Sequence, residues 1–230
     1  MKKIFVDCRM DRRCIENLST FGYEIVVINE NPNFDAAVSA HPDMNVLQIG
    51  TRIFSCTNVH ISGIHIVPFI NGSNRVLEYP GDVLLNAVCV GNDFICRKAS
   101  IATDALSYAE QLGFRIINVN QGYTKCNICV VDNDNKAVMT EDEGIERILS
   151  AHGYDVLLLR THEVKLHPYK NGFIGGASGM IDNKIVFAGD ITKHSEYLYI
   201  KRFCEKYGKE TVSLSGSPLY DFGSVLVLDI

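Results

Sequence analysis

A histidine and a carboxylate two residues apart, His41-Pro42-Asp43, and a cysteine that follows a lysine, Lys125-Cys126, are the residues of this chain best suited to covalent chemistry. An imidazole with a carboxylate could supply a general acid or base and hold a cation. The same tripeptide also suits a plain turn, with Pro setting the backbone and Asp bonding locally. A cation beside a cysteine lowers the thiol pKa and favours the nucleophilic thiolate. The alternative for Cys126 is a structural role, since free cysteine is among the most buried residue types. Cys126 and Cys129 form a C-x-x-C. On a strand, residues three apart face opposite sides, and no second Cys/His pair stands at metal spacing, so no metal site is expected. Asp82, His162, Glu163 and Asp221 add ligand-binding groups in polar stretches, and Asn86, Asn127 and Ser224 stand where strands are expected to start. The glycine run 172–179 lacks the Gly-Lys-Ser/Thr ending of a phosphate loop and precedes a strand, so no cofactor is expected.

The elements that must position these groups form a repeat. Gly22, Gly113, Gly153 and Gly208 each end a helical pattern and open a strand pattern, as glycine does just past a helix. Gly63 has the following strand but no helix before it. The five glycines are 41, 50, 40 and 55 residues apart, and their mean spacing of 46.5 is close to one fifth of the 230 residues. Each helical pattern carries a one-sided apolar stripe. One example is Ile145, Ile148 and Leu149, opened by a capping box at Thr140-Glu141-Asp142-Glu143. Apolar strand pairs precede the helices: 45–50 with 51–56, 84–90 with 93–97, 127–131 with 136–139, and 174–181 with 184–187. The fifth pair exists only if 224–228 meets 3–7. The expected fold is therefore α/β (α+β), a single domain of five ββαβ units in a pseudo-fivefold propeller closed by its N- and C-terminal strands. Its units are about 222–230 with 1–29, 45–69, 84–119, 127–160 and 174–214. The connections 30–44, 71–83, 120–126, 161–173 and 215–222 are long and polar and would all emerge at one mouth of the ring, where a site belongs.

Composition narrows the function class. A hydrophobic content of 47% supports a sizeable core, and the 22 basic residues are scattered under a net charge of -5, so no nucleic acid partner is expected. No apolar run approaches the roughly 18 residues of a membrane helix, so no membrane partner is expected. The start, Met1-Lys2-Lys3-Ile4-Phe5-Val6-Asp7, reads as a strand rather than a signal peptide. Eight cysteines, mostly in apolar segments, then fit a reduced, cytoplasmic setting. Oligomeric state is left open.

Five such units in about 230 residues resemble the pentein fold, shared by guanidino-group-modifying enzymes and a ribosome anti-association factor. The stretches 122–127, 169–179 and 221–226 are most similar to an uncharacterised clostridial family with a guanidino-modifying-enzyme-like fold. The resemblance implies carboxylates that clamp a planar cation, a thiolate that attacks its central carbon, and a histidine that protonates the leaving amine. The enzymes carry their cysteine in the last unit. This chain has no cysteine after Cys204, and its His-x-Asp spelling follows the first unit. Three functions follow. The ring binds a small polar or cationic ligand at its mouth without the usual nucleophile. Alternatively it is a hydrolase or amidinotransferase-like enzyme acting on a guanidino compound through Cys126 and His41, with Asp43, Asp82 or Asp221 as clamp. The third is a protein-binding module like the anti-association factor.

Overall fold

The computed structural model describes residues 2–57, 64–66 and 76–230 of the chain. In chain order the elements are β1 (Lys2–Asp7), α1 (Arg12–Ser19), β2 (Glu24–Ile28), α2 (Pro42–Asn45), β3 (Val46–Ile49), β4 (Arg52–Ser55), β5 (Ile64–Ile66), β6 (Val88–Val90) and β7 (Asp93–Cys96). There follow α3 (Thr103–Gln111), β8 (Arg115–Asn118), α4 (Thr124–Asn127), β9 (Cys129–Asp132), β10 (Ala137–Thr140), α5 (Glu143–Ala151) and β11 (Asp155–Leu158). The last are β12 (Ser178–Ile181), β13 (Lys184–Phe187), a 3-10 turn at Ile191–Lys193, α6 (Tyr197–Lys206), β14 (Glu210–Ser213) and β15 (Leu226–Asp229).

These strands make a mixed α/β structure of five separate three-stranded sheets, β15-β1-β2, β3-β4-β5, β6-β7-β8, β9-β10-β11 and β12-β13-β14. In each sheet the central strand pairs antiparallel with the first and parallel with the third. A parallel return needs a crossover, and a helix provides it in four sheets. Residues 58–63 of the connection between β4 and β5, Gly63 included, lie outside the described residues. The first sheet joins the two ends of the chain, with Lys3 opposite Leu228 and Ile4 opposite Val227.

Helix packing follows the apolar stripes. Cys14 and Leu18, Ala105 and Ala109, Ile145 and Leu149, and Ile200 and Cys204 are the buried residues of α1, α3, α5 and α6. The four glycines after these helices have φ between +66° and +84°, where a side chain would cost about 1 kcal/mol or more. The capping residue of α5 is Asp142, whose Oδ1 accepts from Ile145 N at 2.8 Å. Thr140 instead ends β10 and its hydroxyl accepts from Asp142 N at 3.1 Å, so the helix is capped two residues later than expected.

Five apolar clusters link the sheets. Phe5 and Leu228 meet Val46 and Ile53; Leu47 and Phe54 meet Phe94 and Ala105; Val88 and Ile95 meet Val138 and Leu149; Val131 and Met139 meet Phe187 and Ile200. Ile181 and Val186 of the last sheet meet Ile4 and Val6 of the first.

Three expected strands begin late. Residues 84–87 and 174–177 form loops and Asn127 closes α4, so β6, β9 and β12 start only at Val88, Cys129 and Ser178. Buried Leu85, Ile128, Ile174 and Ala177 imitate strand alternation there. Their backbones bond within loops instead, as in Asn127 N to Tyr123 O at 3.1 Å and Ser178 N to Gly175 O at 3.3 Å. These turns hold the site.

Candidate functional site

The turn α2 begins at His41, whose carbonyl accepts from Met44 N and Asn45 N at 3.2 Å and from Asn45 Nδ2 at 2.9 Å. Asp43 N donates to Gly223 O at 3.1 Å, tying α2 to the last connection. Gly223 has φ +68°, and a Cβ there would collide with His41. The turn α4 carries Cys126, whose carbonyl accepts from Gly176 N at 2.8 Å. A Cβ on Gly175 would fall 2.5–2.6 Å from the carbonyl oxygens of Lys125, Cys126 and Ile128. The glycine run is therefore needed for close approach to the cysteine turn, not for holding a phosphate.

Topology brings the two turns together. Donor atoms of His41, Asp43 and Cys126 lie within 4.8 Å of one another, and each residue is at most 2% exposed. The Cys126 thiol donates to Asp43 Oδ2 at 3.1 Å and accepts from Asn86 Nδ2 at 3.1 Å. Asn86 Oδ1 accepts from Lys125 N at 2.7 Å, which fixes the turn against the amide. The Ser224 hydroxyl lies 2.7 Å from Asp43 Oδ2 and accepts from Lys125 Nζ at 2.9 Å. Ser224 adopts φ +71°, strained for a residue with a Cβ. The His41 ring sits between two carboxylates: Nδ1 is 3.8 Å from Asp221 Oδ1 and Nε2 is 4.0 Å from Asp7 Oδ2. Asp7 is itself paired with Arg9.

Burial dominates the charge states. It lowers His41 to about 3, with Arg9 adding to the effect, and raises Asp221 to about 7, with Asp43 adding to it. Burial also raises Asp43. Cys126 is raised well above the ordinary thiol value by burial and then by Asp43 and Asp221. The expected thiolate beside a lysine is thus not the resting state. The Lys125 ammonium turns to Ser224, and the sulfur faces a carboxylate instead.

A cavity of about 300 Å³ opens over this cluster, with His41, Cys126 and Asp221 in its lining and Tyr79, Tyr123, Tyr169, Phe173, Asn171, Val38 and Leu166 around them. Tyr79 and Tyr123 stack at 5.4 Å, and Phe173 stands 6.3 Å from Tyr123. A second cavity of about 300 Å³ shares His41 and Asp221 and is bounded by Arg9, His167 and Tyr220. A third, about 320 Å³, runs between residues of β3, β6 and β15 and includes Lys125.

The remaining residues singled out in the sequence fall elsewhere. Asp82 stands behind the aromatic wall, accepting from Tyr123 Oη at 2.7 Å. Asn127 donates to Tyr123 O at 2.9 Å within its own turn. His162 faces Glu141 Oε1 at 3.9 Å, and Glu163 accepts from Ser195 N at 2.9 Å. None of these four lines the cavity. The aromatic wall was missed in the sequence, although Tyr79 and Tyr169 are large, about half-exposed side chains on long connections. Glu141 was missed as well. It is 5% exposed, its Oε2 accepts from Ile174 N at 2.9 Å, and burial raises it to about 7.

All eight cysteines are free, and no described helix is long and apolar enough to cross a membrane. No curated protein matches the chain. Solved structures do. A DDAH mutant from Pseudomonas aeruginosa, complexed with citrulline, matches with TM-score 0.56 and 10% identity over 94% of this chain and 93% of its own. A dimethylarginine dimethylaminohydrolase adduct with S-methyl-L-thiocitrulline matches with TM-score 0.54 and 10% identity over 94% and 93%. An amidinotransferase from Microseira wollei, of a saxitoxin biosynthetic pathway, matches with TM-score 0.54 and 10% identity over 94% and 77%. These neighbours are pentein-fold guanidino-modifying enzymes, and at this identity the likeness is one of fold. A family model matches residues 5–226, and the chain belongs to DUF6873, a family of unknown function.

Proposed function

We propose that the five sheets close into a five-bladed pentein ring whose mouth is a catalytic site for a guanidino or related planar cation. The continuity of the apolar clusters around all five sheets, first to last included, supports the ring. The observation that carries the enzymatic reading is the meeting of Cys126, His41 and Asp43 within 4.8 Å beneath a cavity of about 300 Å³.

In this reading the aromatic faces of the cavity hold the cation. Its charge offsets the carboxylates that keep the thiol protonated, so binding lowers the thiol pKa. The thiol proton passes to Asp43 Oδ2, which already accepts it in a 3.1 Å hydrogen bond. The sulfur attacks the central carbon and forms a C–S bond. The C–N bond to the leaving amine breaks as the His41–Asp221 pair supplies a proton. Water then cleaves the C–S bond, giving a ureido product and returning the thiol and the proton. Asp221, raised to about 7, can hold a proton near neutrality, as an acid must.

The test incubates the protein with arginine, agmatine and alkylguanidines and measures ureido product and amine release. Turnover that Cys126→Ala abolishes supports the enzyme. A second reading is a ring that binds the cation without reacting, favoured by the resting state of Cys126, neutral and 2% exposed. It predicts calorimetric binding without product. Absence of both binding and product across the panel overturns both.

A further inference from the structure

Two atoms of this cluster are buried without a hydrogen-bond partner, His41 Nδ1 and Asp43 Oδ1. Each such orphan calls for an explanation, and an ion is one of the standard ones. The Cys126 sulfur completes the group, with all three residues buried and their donor atoms within 4.8 Å of one another.

We propose that Cys126, His41 and Asp43 bind a zinc-class divalent ion, which masks the thiol. The donor set is a thiolate, an imidazole and a carboxylate, which suits Zn²⁺ and disfavours Mg²⁺ and Ca²⁺, which take oxygen. Metal–ligand bonds of about 2.0–2.3 Å place ligand atoms about 3.3–3.8 Å apart in a tetrahedron. The widest separation among the donor atoms, up to 4.8 Å, must therefore contract by about 1 Å. The two residues on α2 and the one on α4 sit on four-residue turns between connections. Outer partners stand ready, as metal sites require. Asn86 donates to the sulfur at 3.1 Å. Ser224 lies against Asp43 Oδ2 at 2.7 Å, which leaves Oδ1 to ligate. The other imidazole nitrogen faces Asp7 Oδ2 at 4.0 Å. His41 and Cys126 both line the cavity, from which a fourth ligand would come. The expectation of no metal site weighed Cys126 against Cys129, on one strand. Here Cys126 lies on a turn, and its partners come from a segment 83 residues away.

The exchange is balanced without a redox step: the S–H bond breaks, an S–metal bond forms, and one proton goes to solvent. The bound ion occupies the sulfur that the proposed reaction needs. Binding itself does not depend on the protein being an enzyme.

The test titrates the metal-stripped, reduced full chain with Zn²⁺ and, for its spectrum, Co²⁺. One equivalent should bind with proton release, and Co²⁺ should give a thiolate charge-transfer band in the near ultraviolet. Cys126→Ser should remove the band and weaken Zn²⁺ by more than about 100-fold, and Asp43→Asn or His41→Gln by at least about tenfold. Should a variant fail to fold, Zn²⁺ protection of Cys126 from iodoacetamide in the unaltered chain, read by peptide mass spectrometry, decides the matter. A band that survives Cys126→Ser, affinity unchanged in Asp43→Asn and His41→Gln, absence of stoichiometric binding, or no protection overturns the site. Turnover of guanidino compounds is measured on the metal-free protein, so that reading and this one fail separately.

Discussion

Cys126 carries two opposed influences, and substitution separates them. Asp43 disfavours the thiolate at rest but accepts the thiol proton in the proposed reaction. Asp43→Asn should therefore speed alkylation of Cys126 in the ligand-free protein at neutral pH. The same change should abolish turnover. Slower alkylation instead would show that Asp43 already works as a base before ligand binds. Ser224 gives a second separation. Its φ of +71° favours glycine, while its hydroxyl bonds Asp43 and Lys125. Ser224→Gly and Ser224→Ala lose the same hydroxyl, so urea denaturation should find the glycine variant more stable by about 1 kcal/mol. Equal stabilities would mean that the strain is relieved by movement of the turn.

At the scale of elements, the connection from β11 to β12 supplies Tyr169, Asn171 and Phe173 to the cavity, and two buried carboxylates anchor its end. Glu141 accepts from Ile174 N at 2.9 Å and Asp221 from Phe173 N at 3.0 Å. Burial raises Glu141 to about 7 from an ordinary value near 4.5. A raised acid binds its proton more tightly when folded. Its contribution is complete below the unfolded value, declines as pH rises, and is gone above about 7. Stability should therefore fall between about pH 4.5 and 7 in part through this group. Glu141→Gln keeps an oxygen acceptor without the charge. It should flatten that limb and raise stability at pH 8 by on the order of 1–3 kcal/mol, from 1.36 kcal/mol per unit. Melting temperatures at pH 5 and pH 8 check the sign, and a larger pH dependence in the variant would refute it.

At the scale of the whole molecule, the first sheet is the seam. β15 pairs with β1 through four residues and buries Val225 and Leu228 beside it. Deleting residues 223–230 exposes an edge of β1 and opens two apolar clusters. It should lower the melting temperature of the entire chain in one cooperative transition rather than fray an end. Because Lys2 lies opposite Asp229, a circular permutant joined there and opened at the turn between β12 and β13 should fold with native circular dichroism. A permutant that folds no better than the deletion would show that sequential order, not the seam, holds the molecule together.

The repeat was legible because it is written in local chemistry. Glycines at helix ends, apolar stripes and paired strands act over a few residues, and their spacing gave five units and the pairing of residues 3–7 with 224–228. The boundaries of three strands were not legible, because Leu85, Ile128 and Ile174 are buried in turns as fully as they would be in strands. His41, Asp43, Cys126, Asn86 and Ser224 stood out by type, and the topology of the sheets suggested that their connections share one end. Only the tertiary structure decided which groups meet. It joined Cys126 to Asp43 and Asn86, left His162 and Glu163 outside, and added an aromatic wall. It also set what surrounds the thiol. A neighbour in sequence, Lys125, could turn away, while a carboxylate 83 positions distant came within 3.1 Å. Residue type and spacing determine what local structure a segment forms. Burial and through-space distance, which exist only after folding, determine what its side chains can do.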